Sequence, residues 1–184
     1  MKRLLPAATA LLSLLPLGPG ALAEDVPVQQ VADMLNAVIR AHRTTYARLI
    51  VDRLAREEEV IDVSEHWKDD AALLLPAQMF RETENLVDAD AGLGLSYALL
   101  SLWPISPQNT AKTEVEKQGM QFVVDHPDQV FYGSETLGGS EYFTAIYPDA
   151  AVADACVSCH NGHKDSPRRD FKLGDLMGAV VSRV

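Results

Sequence analysis

Five residues near the end of the chain carry its most specific chemistry: Cys156-Val157-Ser158-Cys159-His160. Two thiols at this spacing can form thioethers with the two vinyl groups along one edge of a porphyrin, and the imidazole that follows then falls beneath the iron. The run therefore points to covalently attached haem c, one group for one motif, with His160 as the proximal iron ligand. Other uses of a C-x-x-C pair stay open. A structural zinc site would take the pair as half of its ligands and requires a second pair, whereas here His160 and His163 crowd one turn. A redox dithiol belongs at the start of an early helix in a βαβ unit. A plain disulfide would be strained and would close only a tiny loop.

The sixth side of the iron has several candidates. With both cysteines used in attachment, no thiolate remains for it. Met79, early in the second predicted helix, comes first; a thioether opposite an imidazole would raise the potential and suit electron transfer, and the residue also fits plain packing beside Phe80. His42 is second, on an apolar stripe between Val38 and Tyr46, where a satisfied core histidine is the plainer reading. His163 is too close to His160 to reach the opposite face. His66, beside Trp67, and His126, before Pro127, look like surface and helix-end residues. An open or water-bound site, able to take nitric oxide or carbon monoxide, is the remaining reading. Arg43, Arg168, Arg169 and Lys172 are candidates for pairing with haem propionates; for each singly, a solvated basic tract is the plainer reading.

The elements that must position these groups follow from composition and pattern. The chain has 184 residues, 47% of them hydrophobic, as in a globular domain. Its 16 basic against 26 acidic residues give a net charge of -10, which repels phosphate backbones and argues against nucleic-acid binding. Residues 1–23 read as a secretory signal peptide. Lys2-Arg3 precede an apolar run from Leu4 to Leu17, Gly18-Pro19-Gly20 breaks it, and Ala21-Leu22-Ala23 offers a small-residue cleavage site. An uncleaved anchor is the alternative, but the run is short and Pro/Gly-broken against the ~20 apolar residues that a span needs. No cysteine follows the cleavage site, so a lipoprotein is not expected. Residues 24–184 are then expected to be one soluble exported domain, and the Lys2-Arg3 signal fits a bacterium and its periplasm. The longest later apolar stretch, Leu93 to Ile105, is interrupted by Gly94, Ser96, Ser101 and Pro104, so no membrane span is expected.

Apolar residues at three- and four-residue steps from Val31 to Leu54 predict one long amphipathic helix over 28–58. Pro76 suits the first turn of a second helix reaching about Val87. Leu95 to Trp103 predicts a strand ended by Pro104, and Thr113 to Asp125 a helix closed by His126-Pro127. Val130 to Tyr147, with Gly138-Gly139-Ser140 between its halves, predicts a hairpin whose second strand stops at Pro148. Residues 150–174, which hold the cysteines, lack a regular pattern. Gly178 to Val184 predicts a last strand. Helices packed on an antiparallel sheet make an α+β domain. A small cytochrome c fold is not expected, since those chains carry their motif near the N-terminus.

The tract from Cys156 through Asn161, Ser166-Pro167 and Asp170-Phe171-Lys172-Leu173-Gly174-Asp175 to Gly178 resembles the c-type haem PAS-like sensor domain family. In that family an Asn, a Ser-Pro and a Trp/Phe-Lys-x-Gly-Asp run follow the motif. His42 to Ala47, Leu75-Pro76-Ala77 and Glu116 to Phe131 are also similar, so the likeness spans most of residues 24–184. It implies a PAS-like antiparallel sheet with a long N-terminal helix, flanking helices and a haem-binding loop near the C-terminus. It also implies a sulfur ligand near Met79 in some members. Such domains occur alone in the periplasm or as the external sensors of histidine kinases, cyclases and chemoreceptors, and this chain is expected to be a stand-alone form. The expected function is a single-haem module that senses redox state or a diatomic gas and signals to a protein partner. The alternative is an electron-transfer cytochrome whose acidic surface steers it to a basic partner. Enzymatic turnover is not expected, because no distal His-Arg pair can be assigned.

Overall fold

The computed structural model describes residues 25–88 and 92–184; the expected signal peptide lies outside them. Helix α1 (Val28–Thr45) continues without a break into a π-wound helix, Tyr46–Glu57, so the expected single helix is built in two windings. Two short strands, β1 (Val63–Ser64) and β2 (Leu73–Leu74), pair in parallel around the short helix α2 (Trp67–Asp70). Helix α3 (Pro76–Asp88) starts at the expected proline. Strand β3 (Ser96–Leu100) and a 3-10 turn at Pro107–Asn109 lead to helix α4 (Glu114–Asp125). Strands β4 (Phe131–Leu137) and β5 (Ser140–Ala150), helix α5 (Asp154–Gly162) and strand β6 (Leu176–Arg183) complete the order. Among the described residues, no helix is long and apolar enough to cross a membrane.

The main sheet is antiparallel in the order β3-β6-β5-β4. Successive side chains of a strand point to opposite faces, and β6 uses both. Val180 joins Ala32, Phe80, Tyr97 and Tyr147 under α1 and α3, while Ala179 and Val181 join Met120, Val123 and Ile146 under α4. The sheet is therefore covered by helices on both sides. Helix α4 begins with a capping box in which the Thr113 hydroxyl accepts from the Glu116 amide and the Glu116 carboxylate accepts from the Thr113 amide. The β4–β5 hairpin turns at Gly138 and Gly139, both at positive φ, as a two-residue loop on right-twisted strands requires.

Three expectations change. Strand β5 does not stop at Pro148. The β4 ladder ends at the Phe131–Ile146 pair, so from Tyr147 onward β5 has only β6 beside it, and a proline is tolerated where one strand edge is open. The two cysteines sit on a helix rather than in irregular chain. The buried face of the long helix is shifted from the predicted stripe, of which Val31, Leu35, Ile39, Tyr46, Ile50 and Leu54 are half-buried. Met34, Val38 and Leu49 are more than half exposed, while Ala32, Asn36, Arg43, Ala47 and Val51 are buried. Alanines let the helix approach closely, and the buried Arg43 is neutralised by Asp149 at 2.8 Å.

Candidate cofactor site

Helix α5 carries the three motif side chains and is held from both ends. At its start the Ala155 amide donates to Asp52 Oδ1 of the π-wound helix at 2.9 Å, and the same carboxylate accepts from Arg56 at 3.0 Å. A carboxylate on a helix's first amides satisfies orphan donors and suits the positive end of its dipole. Past the motif, Asn161 donates through Nδ2 to the Phe171 carbonyl and accepts at Oδ1 from the Phe171 amide, at 2.9 and 3.0 Å. That pair folds the following loop back onto the helix. Phe171 is thereby buried with its ring edge-on to His160, centroids 5.7 Å apart. Arg168 lies over Phe171 at 4.4 Å and over Trp103 at 4.7 Å, and Ser166 donates to the Arg168 carbonyl at 2.6 Å. The tract after the motif is thus a scaffold that fixes the imidazole.

Cys156, Cys159 and His160 line one cavity of about 540 Å³, within the range of small-molecule and cofactor sites. Its other walls are largely apolar, with Val51, Leu75, Leu99, Leu100 and Ile105 among them. The thiols are not joined to each other. Burial pushes the Cys159 thiol up, helped by Cys156 and Glu65. Burial, then the charges of His163 and Arg43, hold His160 below the usual imidazole range, so its ring stays neutral and fit to ligate. His160 Nδ1 is buried without a hydrogen-bond partner. Two thiols and a neutral imidazole on one wall of an apolar cavity fit a thioether-linked haem. The zinc reading finds less: among the described residues, no group of three or more His, Cys, Asp and Glu side chains could hold a metal ion.

The other expected site residues divide. Arg43 lines the cavity and is ion-paired with Asp149, both side chains 8% exposed. Burial pushes the Asp149 carboxyl up, against the pull of Arg43 and Arg40. His163 also lines the cavity, beside His160 on the same segment. His42 is exposed and lies outside the lining. Met79 lies outside it too, with its sulfur 3.6 Å from the Thr83 hydroxyl. Arg168 is stacked as described, Arg169 donates to the carbonyls of Lys164 and Ser166, and Lys172 is exposed; none of the three lines the cavity. Sequence reasoning missed two cationic wall residues, Arg56 and Arg81. Arg56 is paired with Asp52, and Arg81 donates to the neutral side chain of Asn109 at 2.8 Å. The one signal for Arg81 was its place five residues after Pro76, in the segment flagged for Met79.

A family model described as Tll0287-like matches residues 24–184. A solved crystal structure, that of the cyanobacterial heme-protein Tll0287, superposes with a TM-score of 0.54 at 13% identity, covering 86% of this chain and 96% of that one. At that identity the likeness shows a shared fold. No curated protein matches this chain.

Proposed function

Since the chain belongs to the Tll0287-like family, we propose that it is a periplasmic module carrying a single haem c on Cys156 and Cys159, with His160 as the proximal ligand. One observation carries this reading: both thiols and the neutral imidazole, set by the C-x-x-C-H spacing on α5, face one apolar cavity. The heme-protein with the same fold supports it. When bound, haem would supply one-electron chemistry and could take a diatomic ligand. The chain's residues do the rest. The apolar part of the wall offers a nonpolar bed for the macrocycle, the Asn161–Phe171 clamp orients the ring of His160, and Arg56 and Arg81 offer charge for propionates.

Sensing of redox state or a diatomic gas is the favoured role, with a signalling or redox protein as partner and no catalytic turnover. Neither Met79 nor His42 lines the cavity. Met177, which does, is clustered with Ala151 and Phe171, the ring that meets His160 edge-on. The absence of Met79 and His42 from the described lining supports an exchangeable sixth ligand. Electron transfer is the second reading, and the ring series His160–Phe171–Trp103, with centroids 5.7 and 6.0 Å apart, favours it. The test is the exported protein matured in a haem-competent host. The expected result is one haem of added mass that survives denaturation, and a reduced spectrum that shifts under carbon monoxide. A six-coordinate spectrum indifferent to the gas would move the role to electron transfer. A colourless chain with free thiols would end the haem reading.

A further inference from the structure

Thioethers on α5 would fix the orientation of the porphyrin as well as the place of its iron. The vinyl groups lie along one edge of the ring and the propionates leave from the other. A haem tethered at Cys156 and Cys159 therefore turns its carboxylates away from α5. The guanidinium groups on the cavity wall are not equivalent in that frame. Arg56 is ion-paired with Asp52 at 3.0 Å, and the same carboxylate accepts from the amide of Ala155, next to Cys156. Arg56 thus sits at the thiol end. Arg43 is paired with the buried Asp149 carboxylate. Arg81 lies on α3, which packs chiefly on β3, whereas α5 packs chiefly on the π-wound helix.

Arg81 Nη2 donates at 2.8 Å to Asn109 Oδ1, a neutral partner that fixes the guanidinium and takes none of its charge. Asn109 is fixed in turn. Its carbonyl accepts from the Ser101 amide at 2.8 Å, and its own amide donates to the Ser106 carbonyl at 3.0 Å. Arg81 and Asn109 both line the cavity. Their bond uses one of the five N–H groups that a guanidinium carries. Among the described residues, no nitrogen of Arg81 is buried without a partner. Resting on the haem reading above, we propose that Arg81 is the anchor of one haem propionate, and that Asn109, on the loop 101–109, is the residue that positions it. A guanidinium suits a carboxylate through its parallel N–H pair, and the amide of Asn109 leaves that charge to the ligand.

The experiment reads the propionates directly. Holoprotein is matured with isotope label in the haem carboxyls, and infrared spectra follow their protonation across pH. The label separates them from Glu65, Asp149, His160 and His163, the titratable side chains of the same lining. A cation beside a carboxylate keeps it ionised to lower pH. Arg81→Leu should therefore raise the proton affinity of one propionate about tenfold or more, a full unit of pH, with haem content unchanged. Asn109→Asp gives Arg81 a carboxylate of its own and should raise the same titration, which lost packing alone does not do; it also guards against a folding defect in Arg81→Leu. Asn109→Ala should move it the same way by less, and Arg56→Leu should leave it in place. Propionate affinities within about twofold of the parent in Arg81→Leu and Asn109→Asp, or a shift in Arg56→Leu alone, would overturn the assignment. A shift in Arg81→Leu with none in Asn109→Asp would strike the part given to Asn109. A red protein with any of these results still leaves the haem reading standing, whereas a colourless one removes both.

Discussion

At the scale of single residues, Asn161 does more than follow the motif. Its amide is the partner of both the N–H and the C=O of Phe171, and Phe171 is the wall against which the His160 ring rests. Asn161→Ala leaves two backbone groups in a partly buried loop without partners, so a stability loss of about 1–3 kcal/mol is expected in denaturant unfolding. Cys156→Ser with Cys159→Ser should leave the fold intact and abolish haem mass retained under denaturing conditions, as measured by intact-protein mass spectrometry. The motif was legible because its spacing is local: five consecutive residues set two thiols and an imidazole in the pattern that thioether-linked haem would require. Arg56 and Arg81 were not, because nothing in their own segments says that a fold brings them to the thiols. His42 and Arg43 show the same limit by one position. The apolar stripe pointed to His42, but the buried side chain is Arg43, since Asp149, more than a hundred residues on, is there to neutralise it.

At the scale of elements, helices α3 and α4 and the hairpin could be read from proline, capping and glycine signals that act within a few residues. Helix α5 could not. Its first turn lacks a capping side chain of its own, and its amide is satisfied by Asp52 from 103 residues away. Asp52→Ala should therefore cost about 1–2 kcal/mol, the scale of a lost helix cap, and loosen the thiol-bearing helix. Amide hydrogen exchange should show faster opening confined to residues 154–162 and the Arg56 turn; unchanged protection there would show that packing alone holds α5. The extension of β5 through Pro148 was hidden for a similar reason, since the tolerance depends on where the neighbouring β4 ends.

At the scale of the molecule, α1 is fastened to the sheet by Asp33, which accepts from the hydroxyls of Tyr132 at 2.9 Å and Tyr147 at 2.8 Å. Burial, then the bond to Asp33 and its charge, push the Tyr147 phenol far above its ordinary range, and Tyr132 is raised for the same reasons. The folded chain therefore holds these protons more tightly than the unfolded chain does. Their stabilisation is complete below the ordinary phenol value of 10.0 and is lost as pH rises beyond it. Unfolding free energy should fall above pH ~10, and Tyr147→Phe should make that fall shallower; parallel curves for parent and variant would refute the coupling. The α+β architecture itself was legible, because an alternating sheet between amphipathic helices needs only periodicity to announce it. The π winding of Tyr46–Glu57 left no such trace, and it has a bearing on how the cavity is charged. Continued at the ordinary ~100° per residue, the helix would carry Arg56 roughly 220° around the axis from Arg43, onto the opposite flank. The slacker coil, with bonds reaching one residue further, unwinds that rotation and brings both guanidinium groups to one lining. The number of cations looking inward is thus set by backbone pitch, and a single slip of the spiral would alter it without exchanging any amino acid.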